Sequence, residues 1–174
     1  MRKIIVSQCK NFKILLLVIV TWIWKNSKII LEDGKSACFK NWKEGEAMRR
    51  IAINMQNALF CNAIADTLRR SGNELEPYTI DSPDKVADEC KWITPYALLM
   101  EVTGYTPWLL TERMKIRDTV KVKNPQCKIV LIVDENAEKE VAKQVKQAKK
   151  DGIIDQFIYA SISASYLADI VDSL

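Results

Sequence analysis

The strongest constraint on this chain is the stretch Tyr96-Ala97-Leu98-Leu99-Met100-Glu101-Val102-Thr103-Gly104-Tyr105, unbroken in its apolar run until one carboxylate and closed by a glycine-containing turn. A strand with one wet face alternates apolar and polar side chains, and this one does not. It therefore reads as a central parallel strand with helices over both faces. Lys128-Ile-Val-Leu-Ile-Val-Asp134 repeats the form: an apolar run that ends in an acid. In an open α/β sheet the crevice outside the carboxyl ends of the strands is where ligands usually bind, which makes Glu101 the first residue to examine.

The residues around these two runs alternate in the same sense. Arg50–Asn54 is a short β-branched run, read as the first strand. Asn57 is placed to cap a helix over 58–70 whose Phe60, Ile64 and Leu68 share one face, and Ser71-Gly72-Asn73 stops it. A second strand is predicted over 74–80, and Asp81-Ser82-Pro83 opens a short helix that buries Val86, Ala87 and Cys90. After the central strand, a third helix over 109–123 turns Leu109, Ile116 and Val120 inward until Asn124-Pro125 breaks it. A fourth helix over 138–151 buries Val141, Val145 and Ala148, and Gly152 ends it. The fifth strand is Gln156–Ala160, and Ser163 caps a last helix with Leu167, Ile170, Val171 and Leu174 inward. Five strands alternating with five helices call for an α/β fold: a doubly wound, five-stranded parallel sheet with right-handed crossovers.

Composition excludes several classes of function. The chain has no histidine, which removes the commonest general base and the commonest metal ligand. Five scattered cysteines, Cys9, Cys38, Cys61, Cys90 and Cys127, form no CxxC pair, and their odd number suits reduced thiols in the cytoplasm. The net charge of +4 is concentrated in residues 1–47, with 9 Lys/Arg against 4 Asp/Glu; residues 48–174 hold 17 against 18. A nearly neutral body does not suggest a direct nucleic-acid partner.

Residues 1–47 differ from the body. A basic start precedes the apolar run 14–24, which is bounded by Lys13 and Lys25. Its 11 residues fall short of the roughly 20 that span a bilayer as a helix, and no small-residue cleavage site follows Trp24. Back-translated, Lys43-Glu44-Gly45-Glu46-Ala47 before Met48 can read AAGGAG shortly upstream of ATG, the form of a bacterial ribosome-binding site. Met48 is accordingly expected to be the natural start, with 1–47 a translated upstream region. A membrane-proximal anchor and a folded extra element are the other readings, and a membrane partner is expected only if 1–47 is native.

The body, residues 48–174, resembles the receiver domain of bacterial response regulators, of the chemotaxis-Y-like, flavodoxin-like kind. The likeness lies in element order and in three stretches: LLMEVTGY at the third strand, KIVLIVDENAEKE at the fourth, and KKDGIIDQFIYASISASYLADIV through the fifth strand and last helix. It implies the strand order 2-1-3-4-5 with five flanking helices. The family uses an acidic pair after the first strand to hold a divalent cation and an aspartate after the third to accept phosphoryl. A hydroxyl after the fourth strand and a lysine after the fifth contact the phosphoryl oxygens. Here Asn54 and Met55 stand at the acidic pair, Glu101 at the aspartate, Val133 at the hydroxyl and Ala160, followed by Ser161, at the lysine. Phosphoryl transfer needs metal and cationic groups to neutralise the transferring oxygens, and hard cations need oxygen ligands. The resemblance therefore implies a degenerate receiver that is not phosphorylated.

Glu101 then has two readings, a strand-end carboxylate facing solvent or backbone amides, or a fixed charge that imitates the phosphorylated state. Trp108 either packs under the helix it introduces or, with an exposed Tyr105, forms a recognition loop. Asp134 and Glu135 either join Glu101 in a weak cation site or cap the following helix. Phe157 stands at the family's switch aromatic, or is plain core. The resemblance makes the fourth helix, fifth strand and fifth helix the partner face. There Lys139, Lys143 and Lys146 are placed to meet Asp169 and Asp172 of a second copy.

The expected function is a stand-alone pseudo-receiver in a two-component or phosphorelay context, cytoplasmic and bacterial. It would act on another signalling or regulatory protein by contact, not as an enzyme, with no cofactor and no metal. The alternative is a flavodoxin-like ligand-binding protein or enzyme using the strand-end crevice. Against it, Met55-Gln56-Asn57-Ala58 contains no glycine to cradle a phosphate.

Overall fold

The structure, a computed structural model, describes residues 48–174. The expectations for 1–47, and with them the choice of Met48 as the start, lie outside the described residues. The elements run β1 (Arg49–Asn54), α1 (Ala58–Arg70), β2 (Leu75–Thr79), α2 (Val86–Ile93), β3 (Ala97–Val102), α3 (Leu110–Lys123), β4 (Lys128–Val133), α4 (Lys139–Lys150), β5 (Gln156–Tyr159) and α5 (Ala164–Asp172). The five strands form one sheet in the order β2-β1-β3-β4-β5, with every pair parallel. This is the doubly wound arrangement expected from the sequence.

Local chemistry explains the order. Pro77 has no N–H to give to a ladder, so its strand belongs at a sheet edge, and β2 is an edge strand paired only with β1. The two unbroken apolar strands, β3 and β4, lie beside one another inside the sheet, with Ala97 opposite Lys128 and Val102 opposite Val133. Every residue of β3 except Glu101 is buried. Along each strand alternate side chains serve two cores. Ile51, Ile53, Leu99, Val130 and Ile158 pack with α1 and α5, whereas Ala52, Leu98, Met100, Ile129 and Leu131 pack with α2, α3 and α4.

Caps set the helix ends. Asn57 Oδ1 accepts from Phe60 N at 3.1 Å and Ser163 Oγ from Tyr166 N at 3.3 Å, each satisfying an orphan donor of a first turn. Gly152, at φ +70°, ends α4 in the left-handed conformation that suits glycine. Two boundaries differ from the sequence expectation. Pro83–Lys85 is a separate 3-10 turn before α2, and Leu109 precedes α3 instead of lying within it. The first is a place where a chain entering a helix tightens before regular bonding begins, whereas Leu109, at ψ 146°, is the extended residue that leads into its helix.

Candidate functional site

The carboxyl edge of the sheet gathers the ends of β1, β3, β4 and β5 and the loops that follow them. Alternation turns Asn54 to the side of α2, α3 and α4, where it is fully buried. Its Nδ2 donates to the Ile80 carbonyl at 2.7 Å, and its Oδ1 accepts from Arg113 Nη1 at 2.8 Å. Arg113, from the first turn of α3, is also fully buried. Its Nε donates to the Glu101 carbonyl at 2.8 Å, and its guanidinium lies 4.4 Å from the centre of the Trp108 ring. Among the described residues its Nη2 has no hydrogen-bond partner. Burial pushes the Arg113 pKa down to about 10, against the pull of the nearby Glu101 charge.

The Glu101 side chain occupies the other side of the sheet edge. Its Oε2 accepts from the Gln56 backbone N–H at 2.6 Å, one residue before the Asn57 cap of α1, where a helix amino end favours negative charge. Tyr105 Oη donates to Gln56 Oε1 at 2.6 Å, so Gln56 joins the β1–α1 loop to the β3–α3 loop from both its main chain and its side chain. Of the two readings of Glu101, acceptance of a backbone amide is seen.

The β4 and β5 half of the edge is different in kind. Val133 is fully buried and packs in the core of α2, α3 and α4. Ala160 is half-buried against the other core, its N–H donating to the Val133 carbonyl at 2.9 Å. Asp134 caps the turn before α4, Oδ1 accepting from Asn136 N at 2.8 Å and Ala137 N at 3.1 Å. Glu135 instead accepts from Ser161 Oγ at 3.1 Å. Gly104 lies so close to α4 that a Cβ there would meet Glu138 Oε2 at 2.8 Å. Among the described residues no group of three or more acidic, Cys or His side chains is placed to hold a metal ion.

Several sequence-derived sites are thus separated. Trp108 is 7% exposed and packs against Arg113 instead of forming a surface anchor, while Tyr105 is half exposed. Met55 is buried in the core of α1 and α5. Phe157 is half-buried and packs edge-to-face on Tyr159, ring centres 5.3 Å apart. Lys139, Lys143 and Lys146 are exposed along α4, with Lys143 paired to Glu140 of its own helix. Asp172 pairs with Arg49 of the same chain and stays exposed, as does Asp169. Cys61, Cys90 and Cys127 are free and buried. Burial pushes their thiols up to about 11, 12 and 12 respectively, far from the reactive thiolate range.

Arg113 is the residue that sequence reasoning missed. Its charge, with Glu112, Lys115 and Arg117 close by in the sequence, interrupts the apolar pattern of the helix. The signal was its position: Leu109, Arg113, Ile116 and Val120 follow the i, i+4, i+7, i+11 stripe of one helix face. The apolar residues at its other three positions mark that stripe as inward.

No family model matches the chain, and no curated protein matches it. Solved structures do. A DNA-binding response regulator of the LuxR family from Staphylococcus aureus superposes with a TM-score of 0.55 at 11% identity, covering 72% of this chain and 97% of that one. A CheY-like receiver domain protein from Methanospirillum hungatei gives 0.57 at 12%, over 73% and 93% of the two chains. The chemotaxis protein CheY4 of Vibrio cholerae gives 0.57 at 12%, over 73% and 98%. At such identities the likeness is one of fold, and with the strand order β2-β1-β3-β4-β5 it establishes that this chain carries the CheY-like receiver fold.

Proposed function

We propose that this protein is a pseudo-receiver, a signalling module that works by contact with another signalling or regulatory protein and not by aspartate phosphorylation. The observation that carries this reading is the Asn54–Arg113 pair. Where a divalent cation would need carboxylate oxygens, the chain presents a neutral amide already bonded to a buried guanidinium. A second positive charge placed there meets repulsion in a low-dielectric surrounding and no anionic ligand. Val133 and Ala160 supply neither a hydroxyl nor an ammonium group for phosphoryl oxygens.

The face of α4, β5 and α5 is the surface proposed for contact. Lys139, Lys143 and Lys146 are exposed there, as is Asp169, and a partner or a second copy with complementary charge is the occupant that suits it. Cytoplasmic, bacterial two-component signalling is the setting that fits such a module. Among the described residues no helix is long and apolar enough to cross a membrane.

Intact mass after incubation with acetyl phosphate and magnesium tests the central point, with Glu101→Ala as control. No phosphoryl adduct is expected. An adduct on the parent protein that the control lacks would make Glu101 a working acceptor and overturn the proposal.

A further inference from the structure

Arg113 stands out from the other cations of the described chain because its charge is buried with neutral acceptors. Its guanidinium donates to an amide oxygen and a main-chain carbonyl and lies over an indole ring. Removing a guanidinium from water without a carboxylate in hydrogen-bond contact is costly, and an apolar side chain of similar size often serves packing as well or better. Filling space does not account for such a residue. Its reach does: one planar fork spans the end of β1 at Asn54, the end of β3 at Glu101 and the loop before α3 at Trp108. Asn54 extends the chain of bonds to Ile80 beyond β2.

A lysine has no such reach, since one ammonium is a compact point charge without the fixed fork. On the other side of the same edge, Gln56 ties the β1–α1 loop to Glu101 and Tyr105. The two loops are therefore joined on both faces of the sheet by groups belonging to the chain.

We propose that Arg113 is the positioning residue of this edge, a built-in cation that holds the ends of β1 and β3 and their loops in one arrangement without metal or phosphoryl. The inference rests on the pseudo-receiver reading, because an edge that bound magnesium or accepted phosphoryl would be set by those groups. It assigns the control of the edge to one side chain of α3.

Hydrogen exchange read by mass spectrometry on the full chain tests it. The reporters are the N–H groups of Gln56, Thr103 and Trp108, which bond respectively to Glu101 Oε2, the Trp108 carbonyl and the Tyr105 carbonyl. Arg113→Ala is expected to speed exchange in segments 54–57 and 101–109 by about tenfold or more, while β5 and α5 keep the parent rate. Millimolar guanidinium ion should slow those two segments again in Arg113→Ala and leave the parent protein unchanged. Arg113→Lys keeps the charge but loses the fork, so it should loosen the same two segments by a smaller factor; it decides the matter if the alanine variant fails to fold.

Exchange that rises evenly across the whole body in Arg113→Lys, or does not rise at all, would overturn the proposal. The underlying reading is checked separately on the parent protein with magnesium and acetyl phosphate. A phosphoryl mass there would sink the pseudo-receiver reading, whereas an unmodified mass with evenly raised exchange in the variants would sink the Arg113 inference alone.

Discussion

The two halves of the carboxyl edge are built from the same kind of parallel strand and end in opposite chemistry. Under β1 and β3 the edge is polar and cross-linked: Asn54, Arg113, Glu101, Gln56 and Tyr105 form a continuous set of hydrogen bonds. Under β4 and β5 the corresponding positions are Val133 and Ala160, packed into the two cores. A site for metal and phosphoryl needs both halves to be polar and to face a common space. Here the side chains of one half bond to one another, and Val133 and Ala160 in the other pack with apolar neighbours. The strand geometry that makes a crevice is thus separable from the chemistry that makes it a site.

The largest break in this comparison is expected from Asn54→Leu, which keeps the side-chain size but leaves the Arg113 charge and the Ile80 carbonyl without their partner. Losing a buried hydrogen bond to a charged group costs about 1.5 to 3 kcal/mol, and urea unfolding should show it as a lowered midpoint at unchanged slope. In the apolar half the converse change, Val133→Thr, puts a hydroxyl into a fully buried position. A loss of about 1 to 2 kcal/mol is expected; no loss would mean that this half retains a polar acceptor within reach.

The amino edge under β4 supplies the smallest effect and a control. Burial pushes the Asp155 carboxyl up, but its bonds from Ile129 N–H and Lys121, with the charges of Lys121 and Lys128, hold its pKa below the ordinary 3.8. A carboxylate with a depressed folded-state pKa contributes stability above its unfolded value and loses it as pH falls through the folded one. Asp155→Asn should cost about 1 kcal/mol at neutral pH, and the gap to the parent should close as pH falls below 3.8. A gap that persists in acid would assign the effect to packing.

The sequence was most readable where one force dominates. The unbroken apolar runs at β3 and β4 read as covered strands, and both lie inside the sheet. The caps at Asn57 and Ser163 followed from their short polar side chains. Trp108 stood between two readings because an indole suits both a core and an interface, and only the guanidinium beside it decides. Arg113 was hidden for a related reason. Hydrophobic periodicity marks inward positions by apolar residues, so a charge on the inward stripe looks like an interruption of the pattern when it is a member of it. The Arg49–Asp172 pair was not legible because the two residues lie 123 positions apart in the chain and meet through the packing of β1 and α5.

Met55 couples the edge to the stability of the whole body. Its side chain fills the core between α1 and α5 and is 3% exposed. A carboxylate introduced there by one substitution would enter apolar surroundings at a cost of several kcal/mol, a large share of the stability a domain of this size has in hand. An acidic side chain at position 55 would therefore be set against the stability of the whole body, and not only against the chemistry of the strand ends.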